Sequence, residues 1–307
     1  MPKSPSVAVF LLLVAALHAV ELSPDYSGAV EAGRLAEPRN LEQSGLAVSR
    51  RTPGLLWTHN DSGGEPTLFA LNADGSLRGT IQVAGVANRD WEEVAAFELD
   101  GRPWLMAAEI GDNYAKHAQS MLHVLAEPDA TRLDPAHALK LAPDYTIHFS
   151  YEDGPRDCEA LAVDPQERVV YLLSKRDRPT RLYRLPLAAA PAEQAAVARL
   201  VGIVWDFPQA DGMQRLSPLP SLSVPGWPTA MNFLPDRSGV LVLTYGGLYL
   251  FPRGLGESWA DALAHEPKLL PAFALPQAEA IAVTPDGTGV YLASERTPQL
   301  LRYEHRK

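Results

Sequence analysis

Two short acidic pairs stand out in this sequence because of their spacing. Asp90 and Glu92 are two residues apart, Asp157 and Glu159 repeat that spacing, and Glu279 occupies the matching place in a later segment. Each pair begins a predicted β-strand, and residues i and i+2 of a strand project to the same side. Because hard cations prefer carboxylate oxygens, we predict that these five acids form an inner ring of metal ligands for Ca²⁺ or Mg²⁺.

A second group of polar residues follows the next predicted strand of each segment. We predict that these residues line the rim of the same site and bind a polar small molecule: His59, Asp61, Glu109, Asp112, Lys175 and Glu295. Acids mixed with a lysine equally suit ion pairs between neighbouring segments, or side chains that hold ordered water. The pattern leaves these structural alternatives open beside the binding of a ligand.

The sequence contains no nucleophile elbow, zinc-protease helix, phosphate-binding loop or redox cysteine pair. Catalytic residues are therefore not assigned. If the protein is an enzyme, its acids favour metal-dependent hydrolysis of an ester or phosphoester, in which a cation lowers the pKa of a bound water and a carboxylate acts as general base. The single cysteine, Cys158, lies in a predicted strand and is expected to be a small buried side chain.

The acids belong to a segment that occurs five times, in which a short apolar strand, a turn and a second apolar strand are followed by polar residues. The copies start at Ser44, Asp90, Asp157, Thr229 and Glu279. Repeats of this β character are typical of propellers. We therefore predict an all-β propeller of four-stranded blades, in which equivalent residues converge on the central axis.

The number of blades is predicted from the repeats. Five blades are favoured, and six is the alternative because two pairs of copies are separated by longer stretches. The last copy has only three predicted strands before the chain ends, whereas an unassigned segment at 26–34 precedes the first copy. We predict that this N-terminal segment supplies the missing strand and closes the ring, which would leave no free sheet edge.

Composition excludes some classes of function and suggests a location. The chain has 307 residues, 27 Lys and Arg against 37 Asp and Glu, and no basic run, which argues against nucleic-acid binding. Residues 1–19 have the basic start and short apolar run of a signal peptide. We expect residues 20–307 to form one secreted or periplasmic domain, a monomer with no membrane span after cleavage.

One insertion supports a competing hypothesis. The stretch 205–228 is rich in Pro, Ser and Leu and is predicted to be an ordered loop over one face. It could act as a lid, or as the surface by which a non-catalytic scaffold module holds a protein partner in the cell envelope. A further short helix is predicted at 257–265.

Several motifs together resemble a known group of proteins. They are WTHNDSGG from Trp57, RDWEEVA from Arg89, AEIGDN from Ala108, DCEALAVDP from Asp157 and AEAIAV from Ala278. In this order they resemble the exported bacterial propellers described as TolB-like or uncharacterised. A looser similarity runs to the SdiA-regulated and phytase-like, or esterase-like, propellers. The resemblance implies a propeller; a phytase would bind calcium and phosphate through clustered acids, but its DDPAIW-type motif is absent here.

Overall fold

The computed structural model describes residues 20–35, 37 and 42–306, so the predicted signal peptide at 1–19 lies outside the described residues. The described chain is all-β. Its strands are β1 (Val30–Arg34), β2 (Gln43–Val48), β3 (Leu55–Asn60), β4 (Thr67–Asn72), β5 (Leu77–Val83), β6 (Trp91–Leu99), β7 (Arg102–Glu109), β8 (Ser120–Ala126), β9 (Leu139–Leu141), β10 (Tyr145–Tyr151), β11 (Cys158–Asp164), β12 (Val169–Ser174), β13 (Arg181–Pro186), β14 (Ala196–Ile203), β15 (Pro228–Phe233), β16 (Gly239–Thr244), β17 (Gly247–Pro252), β18 (Lys268–Leu269), β19 (Ala278–Val283), β20 (Gly289–Ser294) and β21 (Gln299–Glu304).

Helical structure is confined to short connections. The α-helices are α1 (Pro220–Ser223) and α2 (Trp259–Ala264), and 3₁₀ turns occur at Ala130–Arg132, Ala192–Gln194 and Gln214–Leu216. Helix α2 lies within the predicted helix at 257–265, and the Ser258 hydroxyl caps it by accepting the backbone N–H of Asp261. None of the described helices is long and apolar enough to span a membrane.

The strands form antiparallel meanders. Strands β2 to β5 make one sheet, with β9 parallel to β5, and β15 to β18 make another. Strands β6, β7, β8 and β10 pair in that order, as do β11 to β14, and these two meanders become one eight-stranded sheet because β10 pairs in parallel with β14. Strands β19 to β21 form the last meander.

The N-terminal strand completes this last meander. Strand β1 pairs antiparallel with β21, so that Val30 lies opposite Arg302 and Arg34 lies opposite Gln299. Just before it, Ser27 donates its backbone N–H to the carbonyl of Glu304. The segment that the sequence offered for the missing strand therefore pairs with the final strand of the chain.

The first strand of each meander lies at the centre of the molecule. These inner strands, β2, β6, β11, β15 and β19, are sheet ends, and they contact one another in the series β2–β6–β11–β15–β19–β2. Apolar cores fill the space between neighbouring sheets; Trp57 and Trp91, for example, share one core. Such radial packing of meanders is the arrangement of a β-propeller.

Burial on both faces explains the sequence pattern of the central strands. Every residue of the strands β12, β16 and β20 is buried. A strand covered on both faces reads as a continuous apolar run, not as an alternation. The Cys158 thiol is fully buried, as predicted, and burial raises its pKa.

Candidate functional site

Each inner strand contains a β-bulge near its start, at the second residue of β6, β11, β15 and β19 and at the third residue of β2. The register of the ladder shifts at the same place in all five, and the residues at the shifts are Gly45, Glu92, Glu159, Thr229 and Glu279. A bulge adds a residue that the partner strand does not match, and it redirects the side chain. The three predicted glutamates thus share one structural position near the axis.

The bulge corrects the repeat alignment in the first unit. The sequence comparison matched Ser44 to Glu92, but the ladder places Gly45 there and Ser44 opposite His59. Gly45 has φ +70°, and a Cβ on it would lie 2.6 Å from His59 Nε2 and 2.6 Å from the Val94 nitrogen. Only glycine fits, because the backbone is left-handed and the site is filled. The available sequence signal was this glycine within β2, directly before the apolar residues 46–48.

Three carboxylates from two neighbouring units converge at this end of the inner strands. One oxygen from each of Asp61, Asp90 and Glu92 lies within 4.8 Å of the others. Asp61 follows β3, Asp90 precedes β6 and Glu92 is the bulged residue of β6. A Cβ on Gly111 would collide with the carboxylates of both Asp90 and Glu92, so the absence of a side chain at Gly111 leaves the room that the two acids occupy.

Burial and mutual repulsion destabilise the charged form of all three acids. Burial raises the pKa of Asp61 to about 6, with repulsion from Asp90 as the next cause. Burial, followed by repulsion from Asp157, raises the pKa of Asp90. The pKa of Glu92 is raised well above its usual range by burial and then by Asp61, while Lys175 opposes the shift. A bound cation would relieve this repulsion.

Most of the surrounding charges are already paired. Arg89 pairs with Glu109 at 3.3 Å, Arg176 with Asp157 at 2.5 Å, Arg296 with Glu295 at 3.5 Å, and Lys175 with Glu159. No ion pair among the described residues includes Asp61, Asp90 or Glu92, and Asp61 Oδ1 is buried without a hydrogen-bond partner there. The negative charges of these three acids are therefore not neutralised by an ion pair within the described part of the chain. We call the cluster of Asp61, Asp90 and Glu92 the acidic mouth.

The opposite side of the acidic mouth carries a lysine and aromatic rings. The Tyr245 hydroxyl donates to Glu279 Oε1 at 2.5 Å and lies 3.3 Å from Lys175 Nζ. Burial raises the pKa of Glu279 to about 7, and the nearby Lys175 opposes that rise. The Arg176 guanidinium stands 4.4 Å from the centre of the Trp227 ring. Glu279 and Tyr245 thus share a hydrogen bond beside the acidic cluster.

Trp227 was missed by the sequence reasoning. Trp227 directly precedes β15. The equivalent positions before β6 and β11 are occupied by acids, Asp90 in the second unit and Asp157 in the third. Trp227 lies at the end of the insertion 205–228, where no acid marked it as a site residue. The centre of its ring lies 4.4 Å from the Arg176 guanidinium and 5.7 Å from Lys175 Nζ, so the insertion reaches the acidic mouth.

The predicted rim residues occupy several different surroundings. His59 is fully buried, its Nδ1 lies 2.8 Å from the Asn60 carbonyl, and burial lowers its pKa to about 4, so it is neutral and packs edge-on against Trp91. Asp112 accepts the backbone N–H of His117 at 2.7 Å. Glu109 and Glu295 are held in ion pairs with Arg89 and Arg296.

A second missed residue, Glu93, lies deeper on the axis. It is fully buried, and Oε1 accepts the Val94 backbone N–H at 3.0 Å. Burial raises its pKa well above the usual range, and backbone N–H groups of Val94, Leu46 and Met231 oppose the shift. Those three groups belong to β6, β2 and β15. The Glu93 carboxyl therefore sits where three inner strands meet, below the acidic mouth.

A cavity of about 450 Å³ occupies the other end of the inner strands and is called the distal cavity here. Its walls come from β2, β6, β11 and β15 and from turns that follow the inner strands, including Val48, Val94, Leu161 and Phe233. Arg50, Glu98, Asp164 and Arg237 are its charged lining residues. The molecule thus has a carboxylate cluster at one end of its axis and, at the other, a cavity lined by both polar and apolar groups.

No family model matches the chain, and no curated protein matches it. Among solved structures, a chain of the "Crystal Structure of Mitotic Checkpoint Complex" is similar with a TM-score of 0.40 and 12% identity, over 85% of this chain and 61% of that chain. The chain therefore spans about 61% of the length of that match.

Proposed function

We propose that the acidic mouth binds a divalent cation, Ca²⁺ or Mg²⁺, through Asp61, Asp90 and Glu92. The observation that carries this proposal is the convergence of three carboxylates, one oxygen of each within 4.8 Å, outside every ion pair formed by the described residues. Like charges this close repel unless a cation or a proton lies between them. The oxygen-only donor set suits a hard cation.

The bound cation is proposed to present a polar ligand to the other side of the mouth. Three carboxylates leave coordination positions for water or a ligand oxygen, because Mg²⁺ takes about six ligands and Ca²⁺ about six to eight. A cation in this place could polarise an ester or phosphoester and activate water. Glu279, with a pKa raised to about 7, is suited to move a proton near neutral pH, and Tyr245 holds its Oε1. The proposed activity is metal-assisted ester or phosphoester hydrolysis.

The architecture and location complete the proposal. Five four-stranded blades, closed into a ring by β1, are supported by the five bulged inner strands, their circular series of contacts and the pairing of β1 with β21. Export of a monomer to the periplasm or exterior, after cleavage at residue 19, remains our proposal from the sequence. The resemblance to TolB-like and esterase-like propellers is likewise proposed from the sequence alone.

Cation binding is tested by titration of the mature chain. Protein of residues 20–307 is stripped with a chelator and titrated calorimetrically with CaCl₂ or MgCl₂. The double variant Asp90→Asn/Glu92→Gln is expected to lose at least about a hundredfold in affinity, since it removes two charged ligands. Glu98→Gln, an exposed residue of the same strand, is the matched control and should bind as the parent does. Equal affinity in the double variant would refute the site.

Hydrolysis is tested separately with p-nitrophenyl acetate and p-nitrophenyl phosphate. Cation-dependent turnover is expected for one of these probes. Glu279→Gln should lower kcat while keeping the cation affinity of the parent, because Glu279 is not among the three converging ligands. Full activity in this variant would exclude Glu279 as the proton carrier, and turnover that ignores the cation would exclude metal-assisted hydrolysis.

A second function, capture of an envelope protein, is favoured by one surface. The insertion exposes Met213 (84%), Leu216 (82%), Leu219 (50%) and Leu222 (42%) to solvent. Neighbouring exposed apolar side chains are typical of binding surfaces. Changing all four to Ser should abolish recovery of a cross-linked partner, whereas Leu255→Ser, which alters an exposed leucine elsewhere, should not. Equal recovery from both variants would exclude the insertion as the contact.

A further inference from the structure

The distal cavity differs from the acidic mouth in what its walls offer. Beyond each bulge, side chains of the inner strands point alternately into the two flanking cores: Leu46 and Val48 pack in one core and Ala47 in the next. The cavity of about 450 Å³ therefore faces the free edges of inner strands, together with partly buried apolar side chains such as Val163 and Phe233. This volume lies within the range of small-molecule sites.

One charged group of the distal cavity remains open. Arg50 Nε donates to the Ala96 carbonyl at 3.0 Å, and this is the only hydrogen bond of its guanidinium among the described residues. The side chain takes part in none of the ion pairs found there. Burial lowers the pKa of Arg50, and the carboxylates of Glu127 and Glu98 oppose the shift; Glu127 Oε2 also accepts the backbone N–H of Arg50 at 3.0 Å. The two terminal nitrogens of Arg50 are free to bind an anion.

The other arginine of the cavity is already saturated. Arg237 donates to Asp164 Oδ1 at 3.0 Å, to Gln166 Oε1 at 2.7 Å and to Glu167 Oε1 at 3.0 Å. Its charge is neutralised by this network. Arg50 is therefore the single cation of the cavity that an incoming anion could pair with.

The geometry points to the distal cavity as a binding site for a small monocarboxylate with an apolar body. The carboxylate would accept from the two terminal nitrogens of Arg50, which match its two oxygens. The apolar part would contact the partly buried side chains of Val163, Phe233 and Leu234. A second negative charge would be disfavoured, because Glu98 and Asp164 also line the cavity. This site needs neither the cation nor the acidic mouth.

The probe for this site is 2-naphthoate, compared with the neutral 2-naphthamide of the same shape. Calorimetric titration of the mature chain is expected to show the acid binding at least about ten times more tightly than the amide, a difference of roughly 1.4 kcal/mol. Equal affinity for acid and amide would overturn the proposal, because the contact would then be apolar only. Absence of binding by both would overturn it as well.

Two variants of opposite sign identify the contact. Arg50→Gln should weaken 2-naphthoate binding about tenfold, whereas Arg51→Gln, the exposed neighbour that pairs with Asp129, should leave it unchanged. Glu98→Gln should strengthen binding two- to threefold, because it removes a negative charge near Arg50. If Arg50→Gln does not fold, the exposed Glu98 variant and the amide decide the matter. If neither Glu98→Gln nor Arg50→Gln changes the affinity for 2-naphthoate, the pairing of its carboxylate with Arg50 is refuted.

The two sites can fail independently. Asp90→Asn/Glu92→Gln is expected to bind 2-naphthoate as the parent does, and Arg50→Gln is expected to bind CaCl₂ as the parent does. A loss of 2-naphthoate binding in the acidic-mouth variant would show that the probe occupies that mouth, and the distal cavity would then be excluded.

Discussion

The two ends of the inner strands are built from the same five strands, yet they have opposite character. At the starting end a bulge turns Glu92, Glu159 and Glu279 toward the axis, and the carboxylates there exceed the cations that pair with them. Past the bulge the ladder is regular, and side chains enter the flanking cores. One added residue per strand thus decides whether the side chains of an inner strand turn toward the axis or enter the flanking cores.

The two ends also differ in which of their charged side chains are paired. At the acidic mouth, Lys175 and Glu159 neutralise each other, while Asp61, Asp90 and Glu92 remain uncompensated. At the distal cavity, Arg237 is saturated by Asp164 and its neighbours, while Arg50 remains open. Each end therefore carries one satisfied network and one open set of charges, of opposite sign. A cation and an anion are the corresponding ligands.

The largest expected effect breaks the satisfied network of the acidic mouth. Lys175→Met leaves the buried Glu159 carboxylate without its partner, so the free energy of unfolding should fall by about 3–5 kcal/mol. Urea denaturation measures this. Lys175→Met/Glu159→Leu should recover most of the loss, and Arg296→Met, which breaks a more exposed pair, should cost no more than about 1 kcal/mol. Similar losses in Lys175→Met and Arg296→Met would contradict this assignment.

The next effect is a pH dependence that originates at Glu279. Its pKa is raised from 4.5 to about 7 in the folded protein, chiefly by burial, so the folded state keeps a proton that the unfolded state releases. This contribution is fully stabilising below pH 4.5, falls as the pH rises and is lost above about 7, a change of roughly 3 kcal/mol. Glu279→Gln should remove that decline in metal-free urea titrations.

The control for this titration is Glu98→Gln at the other end of the axis, whose side chain is exposed. Its stability between pH 4.5 and 7.5 should follow that of the parent. A Glu279→Gln profile as steep as that of the parent would show that other groups cause the decline.

A smaller effect separates the two ends through a single methyl group. Gly111→Ala places a Cβ against the carboxylates of Asp90 and Glu92 and should reduce cation affinity ten- to a hundredfold by displacing them. The same variant should bind 2-naphthoate normally. Gly64→Ala, where a Cβ meets no atom within 4 Å, is the calorimetric control. A parent-like cation affinity in Gly111→Ala would mean that the two acids need not lie against this backbone.

The smallest effect concerns the aromatic side of the acidic mouth. Trp227→Leu removes the ring 4.4 Å from the Arg176 guanidinium and should lower the free energy of unfolding by about 1 kcal/mol. Tyr114→Leu, which removes an exposed ring beside Lys116, should change it by less than about 0.5 kcal/mol. Thermal denaturation compares the two. Equal losses of stability in the two variants would show that the Trp227 ring does not stabilise the acidic mouth.

The fold and part of the candidate site were predictable from local features of the sequence. The repeats, the turns and the continuous apolar strands were sufficient to predict an all-β propeller, because burial on both faces leaves a local signature. Asp90 and Glu92 were predicted as metal ligands from their spacing, and the structure brings their carboxylates together. Their third partner, Asp61, was placed instead on the rim, because nothing local shows that the end of β3 meets the start of β6.

By itself, then, the sequence determined the strands, the repeat and the chemical types at the ends of the strands, since these depend on near neighbours along the chain. Tertiary structure decided which charges meet: Lys175 with Glu159, and Asp61 with Asp90 and Glu92. It also decided, through Gly45, which residue is bulged in the first unit. These outcomes depend on the register of ladders and on contacts between separate sheets, where distance along the chain no longer measures distance in space.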